Sequence, residues 1–267
     1  MSRCLLSWLA VAVLAAFAVF PSVTVAQGTS LPFLGRWKFN PAKSDLQTTR
    51  LVFAQAPSGD MTMTMQGLAQ TFRIDGTERP AVLGSTAIWT QTGPRSWKTV
   101  YRMAKTDNNI DNYTLSEDGR TLTMKTNYLV PKPYDQTIVF SRASGGPGLT
   151  GVWQTRTVQT ESLLEMAPAG GDTVKVSWPS FGGTATLALD GREAPVTGPP
   201  TAVAPGMTAF LKTTGPRTFE LGMKLKGVNM TTGRFMVAPD GKTMTAETIS
   251  GAGATEERSK SFFERQP

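Results

Sequence analysis

The side chains able to move protons in this 267-residue chain are its Asp, Glu, Lys and Tyr residues, because it has no histidine and a single cysteine, Cys4. Without histidine the usual general base near neutral pH and the commonest metal ligand are missing. A zinc site of the Cys/His type is excluded by inventory. Asp107-Asn-Asn109-Ile-Asp111-Asn112, with Asp118 further on, has the oxygen-rich look of a calcium loop. It lacks the central glycine and the terminal Glu of such loops, so a polar hairpin turn is the expectation. Asp75-Gly76 and Asp190-Gly191 read as turns, and Glu78 and Glu193 recur just after them. Serines are present, but no nucleophile–base pair and no phosphate-cradling glycine loop stands out. The inventory therefore argues against an enzyme and assigns no catalytic residue, metal or cofactor.

Binding is better provided for. Alternation of apolar and polar residues marks Met61 to Met65, Trp97 to Met103 and Leu122 to Tyr128 as antiparallel strands with one buried face. The inward set would be Met61, Met63, Met65, Trp97, Tyr101, Met103, Leu122, Met124 and Tyr128. Flexible thioethers and amphipathic rings suit an adaptable lipophilic pocket. The same residues would equally make a packed core, since small barrels either fill with side chains or enclose one ligand. The matching strand of the second half, Phe219 to Leu225, is uniformly apolar inward, and all four tyrosines lie in the first half. If one half binds a ligand, the first is the candidate.

The strands belong to a duplication. Ile74-Asp-Gly-Thr-Glu-Arg-Pro80 matches Leu189-Asp-Gly-Arg-Glu-Ala-Pro195. Gly93-Pro-Arg-Ser-Trp97 matches Gly215-Pro-Arg-Thr-Phe219, and Asp118-Gly-Arg-Thr-Leu-Thr123 matches Asp240-Gly-Lys-Thr-Met-Thr245. The offset widens in one loop, short between Gly84 and Gly93 but carrying Pro199, Pro200 and Pro205 between Gly198 and Gly215. Asp-Gly flanked by alternating residues is a strong hairpin signal, and both Asp118-Gly119 and Asp240-Gly241 qualify. Leu163 to Met166 could form a short helical turn. The expected class is all-β: two tandem antiparallel barrels of eight to nine strands, spanning 30–143 and 150–267, with 144–149 as a flexible linker.

The first 26 residues read as a secretory signal peptide: Arg3, an apolar run from Leu5 to Phe20, then Thr24-Val25-Ala26 at a cleavage site. The mature chain would be secreted or periplasmic, with no membrane span, and without Cys4 it could form no disulfide. Residues 27–146 hold 14 basic and 9 acidic side chains, residues 147–267 hold 12 and 11. So mild an excess reads as a solvated surface, and no basic helix or RNP-like strand points to nucleic acid.

Gly35-Arg36-Trp37 and Gly151-Val152-Trp153 each open a half, and Arg142 and Arg265 end the strands that close them. Gly-x-Trp opening an antiparallel barrel, with a terminal-strand Arg, resembles the lipocalin and calycin signature. Trp37-Lys-Phe-Asn40-Pro-Ala-Lys43-Ser44 is similar to the opening of secreted bacterial lipocalin-like domains. The resemblance implies that each Trp closes a barrel base under a guanidinium, Trp37 with Arg142 and Trp153 with Arg265. Together with export, the Met and aromatic inner faces and the poverty of catalytic residue types, the two barrel signatures lead to the expectation of a binding protein for a small lipophilic or amphipathic ligand, without chemistry. Two alternatives stand beside it. One is a structural or interaction module of the cell envelope with filled barrels. The other is a terpenoid hydratase or isomerase of the two-lipocalin-domain kind, which would need inward Asp, Glu or Tyr gathered in one cavity.

Overall fold

The computed structural model describes residues 31–45, 49–251 and 256–267. The expected signal peptide and Cys4 lie outside them. Strand β1 (Gly35–Phe39) is followed by β2 (Arg50–Gln55), β3 (Met61–Met65), β4 (Leu68–Phe72), β5 (Glu78–Pro80), β6 (Thr86–Gly93) and β7 (Ser96–Met103). Then come β8 (Thr106–Leu115), β9 (Thr121–Tyr128), β10 (Tyr134–Ser144) and β11 (Gly151–Gln159). The remainder is β12 (Leu163–Gly170), β13 (Thr173–Trp178), β14 (Gly183–Ala188), β15 (Ala194–Pro195), β16 (Met207–Gly215), β17 (Thr218–Leu225), β18 (Val228–Val237), β19 (Thr243–Ser250) and β20 (Glu257–Gln266). Among the described residues the only helical elements are two short 3₁₀ turns, Pro41–Lys43 and Val82–Gly84.

These strands form two antiparallel sheets, each curled into a nearly closed barrel. Each sheet has ten strands, more than the eight or nine expected, because the short pieces β5 and β15 pair with β6 and β16. The hairpin signals hold. Asp118 Oδ1 accepts from Arg120 N at 3.0 Å, with Gly119 at φ 67°. Asp240 Oδ1 accepts from Lys242 N at 2.9 Å, with Gly241 also at φ 67°. Asp75 and Asp190 likewise take the backbone N–H two residues on.

The sheets do not follow the sequence halves. Barrel one runs without interruption from β2 to β11, in the order β4-β3-β2-β11-β10-β9-β8-β7-β6-β5. Barrel two is β12 to β20 plus the distant β1, ordered β14-β13-β12-β1-β20-β19-β18-β17-β16-β15. The chain therefore starts in barrel two, enters barrel one after Asp45, and returns through residues 160–162. Segment 144–149 is not a linker between barrels. It is the tight turn of the β10–β11 hairpin, so close that a Cβ on Gly145 would lie 2.2 Å from the Gly151 Cα. Its Gly-rich composition suited either role.

Two local expectations also fail. Leu163 to Met166 opens strand β12, where it pairs with β1 and leaves Leu164 and Met166 buried. Residues 107–112 are not a turn. They lie in β8, and the reversal occurs at Ala104 and Lys105, both at positive φ.

Candidate functional site

The closure signatures explain the fold's exchange of strands. Arg142 lies over Trp153, 4.0 Å from guanidinium to ring centre, and Arg265 lies over Trp37 at 4.3 Å. The expected partners, Trp37 with Arg142 and Trp153 with Arg265, are thus exchanged. The cause is the barrel's own order: a first strand lies beside the last strand of its barrel, and β1 pairs with β20 while β11 pairs with β10. Both sites are built alike. Each indole Nε1 donates to a carbonyl four residues back, Trp37 to Phe33 at 2.9 Å and Trp153 to Leu149 at 2.8 Å. Arg142 donates to the carbonyls of Gly119, Gly146, Gly148 and Thr150, and Arg265 to those of Gly241, Leu34 and Pro32. A planar fork can satisfy several chain-end carbonyls and still stack on a ring. Gly35 and Gly151 sit at φ 132° and 141°, and a Cβ at Gly35 would lie 2.5 Å from the Arg265 guanidinium. That is the physical content of Gly-x-Trp: a glycine under the arginine, then the ring it covers. These are structural plugs, with the indoles fully buried and the guanidinium groups half-buried over them.

A ligand has room elsewhere. Barrel one encloses a cavity of about 530 Å³. Six of the nine residues expected to face inward line it: Met63, Met65, Tyr101, Met103, Met124 and Tyr128. Met61, Trp97 and Leu122 are buried but do not reach it. The buried lining gives way to half-exposed residues, among them Phe39 and Phe263, which β1 and β20 of barrel two contribute. The cavity thus ends against the second barrel.

Among the described residues its one charged lining residue is Asp111, which sequence reasoning placed in a turn. On β8 the side chains of Asp111, Tyr113 and Leu115 alternate inward, all buried. Tyr113 Oη donates to Asp111 Oδ2 at 3.2 Å, and Asn109 Nδ2 to Oδ1 at 3.2 Å. Thr126, the cross-strand neighbour on β9, adds a third hydrogen bond. Burial raises the Asp111 pKa above the ordinary carboxylate value, and these three donors offset only part of that. Burial likewise raises the phenols of Tyr101, Tyr113 and Tyr128, so they remain hydrogen-bond donors at neutral pH. Beside them Gln70 Nε2 donates to Tyr101 Oη at 2.7 Å, while Gln70 Oε1 and Thr99 Oγ1 are buried without a partner. The missed signal was parity: Asp111 is in phase with Tyr113 and Leu115, as Gly233 is with Phe235 and Val237.

The other acids do ordinary work. Asp107 pairs with Arg102 at 2.6 Å, and Arg102 also holds Glu78. Glu193 makes the equivalent pair with Lys224 in barrel two. Among the described residues no group of three or more Asp, Glu, His or Cys could hold a metal ion. Comparison with protein-family models, with curated proteins and with solved structures finds no match to this chain.

Proposed function

We propose that the protein is a lipocalin-like binding protein, exported to the periplasm or beyond, that holds a small lipophilic or amphipathic molecule in barrel one. The observation that carries this is the cavity of about 530 Å³ lined by thioethers and phenols, within the size range of small-molecule sites. In barrel two the pocket lined by the core residues Trp178, Leu221 and Phe235 measures about 150 Å³, and the pockets of about 670 and 480 Å³ there are lined by other residues, around Pro216 and Thr218 and around Arg234 and Arg258. The filled-barrel envelope module draws support from barrel two alone. The test is native mass spectrometry of gently purified protein, together with titration by an environment-sensitive apolar fluorophore. Bound or displaced ligand is expected at one site per chain. Substituting Met124→Trp, which would occupy the cavity, should abolish it while leaving the fold intact. No probe binding at any concentration short of aggregation would overturn the reading.

Asp111 favours one second reading, the hydratase or isomerase. A buried carboxylic acid beside three tyrosines in an apolar cavity could protonate an alkene, and the conjugate carboxylate could then take a proton back from attacking water or from carbon. Terpenoid turnover by the wild type, lost in Asp111→Asn with binding retained, is the expected signature. Turnover unaffected by Asp111→Asn would remove this reading.

A further inference from the structure

The chemistry of the ligand's head group can be read from what faces Asp111. Among the described residues its carboxyl group is the only one in the cavity lining, and no Lys or Arg lines the cavity with it. Lys98 and Lys125, next to Thr99 and Thr126 on the flanking strands, point to the opposite face of the sheet, and Arg102 is engaged by Glu78 and Asp107. The carboxyl group is met only by neutral donors: Tyr113 on its own strand, Asn109 two residues earlier and Thr126 across the ladder. All three favour its charged form without neutralising it. Around it stand the rings of Tyr101, Tyr113 and Tyr128 and the sulfurs of Met63 and Met124, surfaces that attract a cation and offer nothing to an anion. A buried carboxylate without a cation is costly, and a ligand that supplies one removes that cost.

We infer that barrel one selects amphipathic monocations, an apolar body bearing an ammonium or comparable head, with the head seated on Asp111 among the tyrosines. This rests on the proposal that the cavity is a ligand site. It gives that proposal a direction: fatty acids, the default guess for a lipophilic barrel, are disfavoured because their carboxylate would meet a like charge and no base.

The experiment uses three probes with one chain and different heads, namely dodecylamine, dodecanol and dodecanoate, each below its aggregation concentration. They are titrated at neutral pH against the whole protein and against Asp111→Asn and Asp111→Glu. Dodecylamine is expected to bind the wild type at least about tenfold tighter than dodecanoate, a difference of about 1.4 kcal/mol. Asp111→Asn should erase that preference by weakening the amine, with dodecanol little changed, and Asp111→Glu should keep part of it. Equal binding of all three probes, tightest binding of dodecanoate, or an amine affinity indifferent to Asp111→Asn would overturn the cationic head while leaving the cavity reading intact. Failure of all three probes and of the apolar fluorophore would instead bring down the cavity reading itself. Should Asp111→Asn not fold, the ranking of the three heads on the wild type still decides.

Discussion

Barrels one and two share one plan and differ above all at one row of residues. In barrel one, Thr99 on β7, Asp111 on β8 and Thr126 on β9 stand side by side across the ladder. The same register in barrel two places Leu221, Gly233 and Thr248 there. Next along the strand, Tyr113 is replaced by Phe235. Its ring lies so near Gly233 that a Cβ there would be 2.6 Å away. Phe235 stacks on Phe219 at 4.8 Å, occupying space that barrel one leaves to the carboxylate. The proline-bearing loop after Gly198 adds Val203 and Ala204 to the core of barrel two, and Trp178 packs there beside Phe235. Among the described residues, every buried polar or charged side chain belongs to barrel one or its edge: Thr49, Gln70, Ser85, Thr99, Asp111, Thr126 and Thr155. Buried polar groups cost stability unless paired. Barrel one carries them beside an open cavity, while its apolar twin is packed and contributes Phe39 and Phe263 to the cavity wall.

The largest effects test where one barrel ends. A fragment of residues 49–162 contains β2 to β11, Trp153 and Arg142 in one run, and is expected to melt cooperatively with dispersed NMR signals. A fragment of 30–143 has the same length but loses β11, and its β1 has neither β12 nor β20 to pair with. It should remain unfolded. A folded 30–143 and an unfolded 49–162 would restore the contiguous-halves division.

Next come the plugs. Trp37→Ala and Trp153→Ala should each cost about 3–5 kcal/mol, the range for truncating a buried Trp. The partners separate in double-mutant cycles by chemical denaturation. Trp153→Ala with Arg142→Ala should show coupling of about 0.5–3 kcal/mol, because the two touch. Trp153→Ala with Arg265→Ala should be additive. Coupling in the second cycle and none in the first would reinstate the pairing by sequence order.

That pairing shows what the sequence could and could not carry. Alternation over Trp97–Met103 and Leu122–Tyr128 specifies strands and their inner faces, since side chains alternate with period two. The duplicated Asp-Gly turns specify hairpins. The existence of two barrels followed from these local signals, as did the Met- and Tyr-lined interior. Strand exchange left no local trace. Both β1 and β11 carry Gly-x-Trp, and only the long-range choice between β10 and β20 decides which barrel each closes. Asp111 was hidden for a related reason. Its neighbours Asn108, Asn109 and Asn112 are turn formers by composition, and burying a carboxylate runs against the expected location of Asp. Buried polar residues break local rules in this way.

Smaller effects sharpen the contrast between filled and open. Gly233→Ala should destabilise the protein by about 1–3 kcal/mol, the usual cost of overpacking, because the new methyl meets the Phe235 ring. The enlarging change Val158→Ile beside the cavity should cost less, since open space adjoins it. Thermal denaturation of the two variants measures the difference. A Gly233→Ala protein as stable as the wild type would mean that barrel two has slack after all.

The smallest effect is electrostatic and specific to barrel one. Burial raises the Asp111 pKa in the native state above the ordinary 3.8. As pH rises through that ordinary value the unfolded chain releases its proton first, while native Asp111 still holds one. The native state then binds more protons, so the Asp111 contribution to stability falls with rising pH until the native carboxyl group has ionised too. Above that point the loss is complete and constant. Asp111→Asn cannot ionise and escapes it. The melting temperature of the variant relative to wild type is therefore expected to climb from about pH 4 upward and then level off. The plateau marks the native pKa without any ligand. Gly233 gives barrel two nothing to titrate at that place, so this pH dependence should vanish with one substitution in barrel one. A difference that stays flat with pH would mean that native Asp111 titrates like an exposed carboxylate.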